Sequence, residues 1–319
     1  MRGIWQAFAL ALAATGPGAA HATRPAPSAW DQDRVLGRGI SILGNDPIWK
    51  SFRQGRFKTD HFQKIRAAGF TNVRIVVQSS DAMDKNNRLS DQWLATLDWA
   101  ISGANKAGLN VIVDAHDGKA CNDMAAACPD MVIRFWKQAA HHLRKRGDNV
   151  MFELLDAPHG ALDGARWNSL IQALVPIVRA DNPNRTLVIG PAEGNSFAQL
   201  DTLLLPEKDR HIIVTFHYGI APGAACCTAA ERARIDGDFA SVAAWSKAQD
   251  RPILLGAFGT GQDGDTASGI AWSRAVARSA EHHDFAWTYW QFDGESAAYD
   301  MKTDAWVSPI LGALIPGKE

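Results

Sequence analysis

The side chains able to do chemistry fall in a few short segments. Arg74 lies in Asn72-Val73-Arg74-Ile75. Asp114-Ala115-His116-Asp117 sets a carboxylate and an imidazole two residues apart, on one face if the segment is a strand. Phe152-Glu153-Leu154-Leu155-Asp156-Ala157-Pro158-His159 carries two acids into a corner, and His217-Tyr218 and Trp290, with Asp293 after it, complete the set. Carboxylates beside imidazoles can move protons, and an indole offers a flat apolar face to a ligand. A metal would need His116, His217 and a third ligand, for which Asp114 is the candidate. No Cys/His spacing suggests zinc, and neither a metal nor another cofactor is expected.

These residues need a scaffold that brings distant segments together. Short β-branched runs at 35–42, 72–77, 110–114, 150–155, 186–190, 211–217, 252–257 and 285–292 read as strands. Amphipathic patterns at 60–68, 90–107, 130–146, 165–180, 197–204, 236–248, 267–282 and 308–314 read as helices. Ser90 and Asp130 are good caps, and Gly69 and Gly108 fit the residue after a helix. Trp93, Trp99, Trp136, Trp167, Trp245 and Trp272 fall on helical patterns and are expected to pack helix against sheet. Eight strand–helix alternations predict an α/β fold, a closed (β/α)₈ TIM barrel, as one domain over 36–319. An open doubly wound sheet would want a glycine-rich phosphate loop opening a helix. Gly37-Arg38-Gly39 precedes its strand centre and opens none. In a barrel the chemistry sits where the strands end.

Composition narrows the partners. The chain has 319 residues, 46% hydrophobic and 21% charged, with net charge −1. That is globular, with no basic field for nucleic acid. Arg144-Lys145-Arg146 reads as a solvated helix end. Arg2, an apolar run over 4–14 and Ala20-His21-Ala22 read as a signal peptide over 1–22. The proline-bearing stretch 23–35 reads as an extended lead-in. A secreted or periplasmic product, free of the membrane after cleavage and monomeric, is expected. Export permits disulfides, and Cys121 and Cys128 could clip one loop. Cys226 and Cys227 are adjacent; a strained bond between them, free thiols and a cross-pair all remain open.

Taken in order, Asn72-Val73-Arg74-Ile75, Asp114-Ala115-His116-Asp117, Glu153-Leu154-Leu155-Asp156-Ala157-Pro158, His217-Tyr218, Gly256-Ala257-Phe258-Gly259 and Tyr289-Trp290 resemble the successive strand ends of glycoside hydrolase family 5. These are cellulase-like retaining β-glycosidases, and the likeness is greatest to bacterial endoglucanases. It runs from about Leu36 to Pro316. The resemblance implies substrate-binding roles for Arg74, His116, Asp156, His217, Tyr218 and Trp290, and a β-glucan or other oligosaccharide as partner. It also implies two catalytic glutamates, acid/base in Asn-Glu-Pro and nucleophile in Gly-Glu-Phe-Gly, about 5–5.5 Å apart. Here those positions read Asp156-Ala157-Pro158 and Gly256-Ala257-Phe258-Gly259. Further departures are Gly219 after His217-Tyr218, Gly118 after Asp117, and Glu193-Gly194-Asn195 at the fifth strand end.

A methyl group neither donates a proton nor attacks carbon, so the two-glutamate route is expected to be silent, with oligosaccharide binding retained. Glu153 shares the strand parity of Ala157, but four extended residues would put it ~13 Å deeper, as a barrel-floor charge. Asp156 is the substitute acid to consider, although it should point differently from Ala157. Asp114, Asp117 and Asp293 are expected to be structural acids. The alternatives are a hydrolase with a relocated site, an endoglucanase silenced by laboratory replacement, and a non-catalytic binding protein.

Overall fold

The computed structural model describes residues 26–117, 121, 127–219, 227–260, 267–294 and 297–318. The predicted signal segment and Cys226 lie outside them. Eight parallel strands close into a barrel in chain order. They are β1 (Arg38–Ile42), β2 (Asn72–Val77), β3 (Asn110–Ala115), β4 (Val150–Glu153), β5 (Leu187–Ile189), β6 (Ile212–Gly219), β7 (Ile253–Gly259) and β8 (Ala286–Tyr289). Closure is direct: Arg38, Gly39 and Ile40 of β1 pair with Trp287, Thr288 and Tyr289 of β8.

Strand alternation sorts the residues into two cores. Val111, Val113, Phe152, Leu187, Ile189, Val214 and Leu255 face the helices and join one large apolar cluster. Their neighbours Ile112, Met151, Val188, Ile213, Leu254 and Ala286 form a second cluster inside the barrel. The outer layer is α1 (Ala29–Leu36), α2 (Thr59–Ala68), α3 (Asp91–Lys106), α4 (Cys128–Leu143), α5 (Gly164–Asp181), α6 (Ala229–Gln249), α7 (Ala267–His282) and α8 (Ser308–Leu314). Ser90 caps α3 by accepting from Trp93 N, and left-handed Gly69 ends α2. Two buried indoles tie helices to strand ends: Trp136 Nε1 donates to Leu154 O and Trp167 Nε1 to Gly190 O, each at 2.8 Å. Among the described residues no helix is long and apolar enough to cross a membrane.

The lead-in departs from expectation. Residues 29–36 are helical rather than extended, and the first strand starts at Arg38 rather than at 35. The cause is local: Ser28 Oγ accepts from Asp31 N while the Asp31 carboxylate accepts from Ser28 N, a reciprocal cap after the prolines. Ala29 and Leu36 then join the inner cluster, so α1 stoppers the end of the barrel where the strands begin. Elsewhere the observed elements fall within a few residues of the predicted ones. The largest difference is α6, which starts at Ala229 instead of 236 because Thr228 caps it. The predicted helix at 197–204 is a 3₁₀ turn, Phe197–Thr202. Cys121 and Cys128 are joined in a disulfide, with Cα atoms 4.8 Å apart. Cys227 is also disulfide-bonded.

Candidate functional site

Above the apolar inner layer the barrel lining turns polar. Arg74, Asp114 and Glu153 face inward from β2, β3 and β4, all fully buried. Arg74 Nε donates to Glu153 Oε2 at 2.6 Å and its Nη2 to Glu153 Oε1 at 2.9 Å, a two-pronged pair. The same Nη2 meets Asp114 Oδ2 at 3.0 Å and also donates to Asp156 Oδ1. One guanidinium therefore gathers three carboxylates, with Asp114 and Glu153 held below and Asp156 toward the mouth.

His116 and His217 stand one strand step further out. His116 Nδ1 lies 3.1 Å from Asp114 Oδ2 and 3.2 Å from Asp156 Oδ2. His217 Nε2 lies 3.3 Å from Asp156 Oδ1. The Asn195 amide fits with its oxygen inward, where it accepts from His217 Nε2 at 3.1 Å and Ala157 N at 3.3 Å, while its nitrogen donates to Pro191 O. Three consecutive left-handed residues, Glu193, Gly194 and Asn195, with φ of 57°, 75° and 58°, carry that amide into place.

Charge follows from this wiring. Burial opposes ionisation of Asp156, but His116, Arg74 and His217 around it hold its carboxyl well below the usual range. Burial also opposes charge on His116, yet Asp156 and Asp114 outweigh it and hold the imidazole up to about 9. Glu153 is pushed up to about 7 by burial, against the pull of Arg74. Asp114 is raised by burial as well. At neutral pH the mouth presents an imidazolium backed by an anionic Asp156.

A hollow of about 300 Å³ opens over this group, lined by His116, Asp156, His217, Ala257 and Trp290 among others. The expected site residues Arg74, His116, Asp156, His217 and Trp290 thus assemble at one end of the barrel, with Arg74 one layer beneath. Ala157 follows β4 with φ 43° and Ala257 lies in β7, where the register slips beside His217. That slip leaves Gly256 without a partner in β6 and close to Thr215, whose Oγ1 would lie 2.0 Å from an added Cβ. Gly194 and Gly219 leave open space, since an added Cβ at either meets nothing within 4 Å. Another hollow, of about 490 Å³, runs past Gly44, Asn45, Trp49 and Gln78 after the ends of β1 and β2.

Several expectations need correction. Glu153 is not remote from the mouth: one ligand atom each of Glu153, Asp156 and His217 lie within 4.8 Å of one another. β4 stops at Glu153 and the chain bends, so the rise per extended residue does not apply beyond it. The same bend turns Asp156 inward. Tyr218 borders the hollow, but its hydroxyl donates to Asp238 Oδ2 at 2.6 Å and its ring stacks near Trp272, so it serves the helix layer. Strand alternation dictates this, since His217 already faces inward. Trp290 is not a bare platform: His116 stacks on it at 5.1 Å and 10°. Asp117 holds the turn at Ser79–Ala82 through Ser79 N and Ser80 N, and Asp293 pairs with Arg56 at 2.9 Å. The metal trio His116, His217 and Asp114 is not what converges; at the mouth the close sets are Asp114–His116–Asp156 and Glu153–Asp156–His217. In both, Arg74 already pairs with the carboxylates. In sequence Asn195 stands out only as a departure at the fifth strand end. Its hydrogen-bonding role depends on a backbone conformation with no pattern in sequence.

Residues 37–296 match the model of the cellulase family, glycosyl hydrolase family 5. The chain is 25% identical to Endoglucanase H of Acetivibrio thermocellus over 309 residues, covering 89% of this chain but 33% of that protein. It spans about a third of the first two curated relatives it matches. Two solved structures of Thermotoga maritima Cel5A, with mannotriose and with cellobiose, superpose with TM-scores of 0.82 at 27% and 28% identity. Each covers 90% of this chain and 99% of its own.

Proposed function

The chain belongs to the cellulase family, glycosyl hydrolase family 5, and from that premise we propose that it is a hydrolytically silent member that binds β-linked oligosaccharides at the barrel mouth. The carrying observation is that Ala157 and Ala257 stand at the ends of β4 and β7 where the family resemblance puts its two glutamates. The nearest carboxylate, Asp156, is bonded to Arg74 and flanked by both histidines. A carboxylate so tied is a poor nucleophile, and one so acidic is a poor proton donor at neutral pH. Binding is supported by the hollow at the barrel mouth, with Trp290 in its lining, and by relatives solved with cellobiose and mannotriose. Export follows from the N-terminal pattern, and N-terminal sequencing of secreted product beginning at Thr23 tests it.

The test compares this chain with the double variant Ala157→Glu/Ala257→Glu. Cello- and manno-oligosaccharide binding in both, with hydrolysis only in the variant, is the expected result. Robust hydrolysis by the unaltered chain would refute silence. A second reading rests on one observation: His116, 27% exposed in its side chain and held up to about 9, is a proton donor facing the hollow. A relocated hydrolase built on His116 and Asp156 would show turnover abolished by Asp156→Ala.

A further inference from the structure

At the opposite end of the barrel from the mouth, a second set of ligating side chains converges. His282 ends α7, His283 follows it, and Asp236 lies on the adjacent α6. His283 Nε2 is 3.0 Å from Asp236 Oδ1, and the rings of His282 and His283 stand 5.0 Å apart at 73°. One ligand atom from each of the three lies within 4.8 Å of the other two. We propose that Asp236, His282 and His283 form a site for a divalent first-row transition ion, best matched by zinc, that ties the end of α7 to α6.

The donor set carries the choice of ion. Two imidazoles and one carboxylate suit zinc and its neighbours, whereas calcium and magnesium prefer oxygen alone. Ligands about 2 Å from one tetrahedral centre lie roughly 3.3 Å apart, so the His283–Asp236 spacing needs little change. Binding displaces the proton these two share, freeing the imidazole lone pair for the metal. The C-terminal end of α7 adds a favourable partial negative charge. Asp236 is 54% exposed and His282 is exposed, so an ion can enter from solvent and keep water in a fourth position.

Arg232, Arg274 and Arg278 border the same groove, and their charge opposes a cation except where an acid offsets it. Arg278 Nη2 donates to Glu281 Oε1 at 3.2 Å and Leu314 O at 2.7 Å. Arg232 donates to Cys227 O, which fixes the guanidinium without offsetting its charge, so the Asp236 carboxylate is what favours a cation here. None of the three proposed ligands touches the mouth, so the ion's role is to brace two helices, independent of any chemistry there.

The test uses the untagged full chain, stripped with chelator and titrated with zinc chloride by calorimetry, with melting curves alongside. One saturable site and a rise in melting temperature are expected. His282→Ala and Asp236→Asn should each weaken binding by more than about tenfold. His282 is exposed, so its loss should leave the chelated protein's melting point unchanged. Three results would overturn the proposal: no saturation up to millimolar zinc, unchanged affinity in both variants, or binding abolished by His116→Gln instead, which would place the ion in the mouth.

Discussion

Arg74 is the residue on which the mouth depends. It is fully buried and holds Asp114, Glu153 and Asp156 together. Replacing it with methionine fills much of the volume but leaves Glu153 buried with no cation and Asp114 and Asp156 with only the His116 imidazolium beside them. Arg74→Met should destabilise by about 3–5 kcal/mol, read as a lower urea midpoint. The His116 imidazole supplies a pH signature. Folded, it holds its proton up to about 9; its ordinary value is 6.5. The folded state therefore binds more protons across that interval. Its contribution is fully present below about 6.5 and is lost as pH rises toward 9. Melting curves from pH 6 to 9.5 should show this decline, and His116→Gln should flatten it. Asp156→Asn should lower the His116 titration followed by NMR, because the largest opposite charge on the ring has gone.

Among the elements, α1 does the least expected work. It closes the barrel floor with Ala29 and Leu36 against Ile112, Met151 and their neighbours. Leu36→Ala opens a cavity at the junction of helix and barrel and should cost about 2–5 kcal/mol in chemical denaturation. A loss under about 0.5 kcal/mol would mean the helix is only draped on the strands. The bulge in β7 is the other decisive element. By inserting Gly256 it brings Ala257 level with His217, so the position facing the hollow is set by one extra residue in one strand.

For the molecule as a whole, the proposed silence makes a paired prediction about activity and binding. Hydrolysis of β-1,4-glucans should sit near background, because loss of one member of a catalytic unit costs orders of magnitude and loss of the second adds little. Binding should persist weakly, near millimolar or about −4 kcal/mol, measured by calorimetry with cello-oligosaccharides. Added azide should raise turnover of an activated aryl glycoside if a small anion can occupy the space beside Ala257. Cellulase activity comparable to an intact relative would sink the reading.

The sequence by itself determined the architecture, because the alternation of strand and helix periods is local and repeats eight times. It also located the mouth, since chemistry-bearing residues recur at successive strand ends. The two alanines were evident from their intact flanks. Tertiary structure alone decided how the acids are wired. Glu153 and Asp156 flank Leu154-Leu155, and only the bend after β4 turns both toward Arg74. Tyr218 borders the hollow but points its hydroxyl to the helix layer because alternation gives adjacent residues opposite faces. The lead-in became a stopper because a cap at Ser28 offered a helix and the barrel floor offered it an apolar partner. Periodicity records which face a residue takes within its own element. Which distant charge that face will meet is fixed only when the barrel closes.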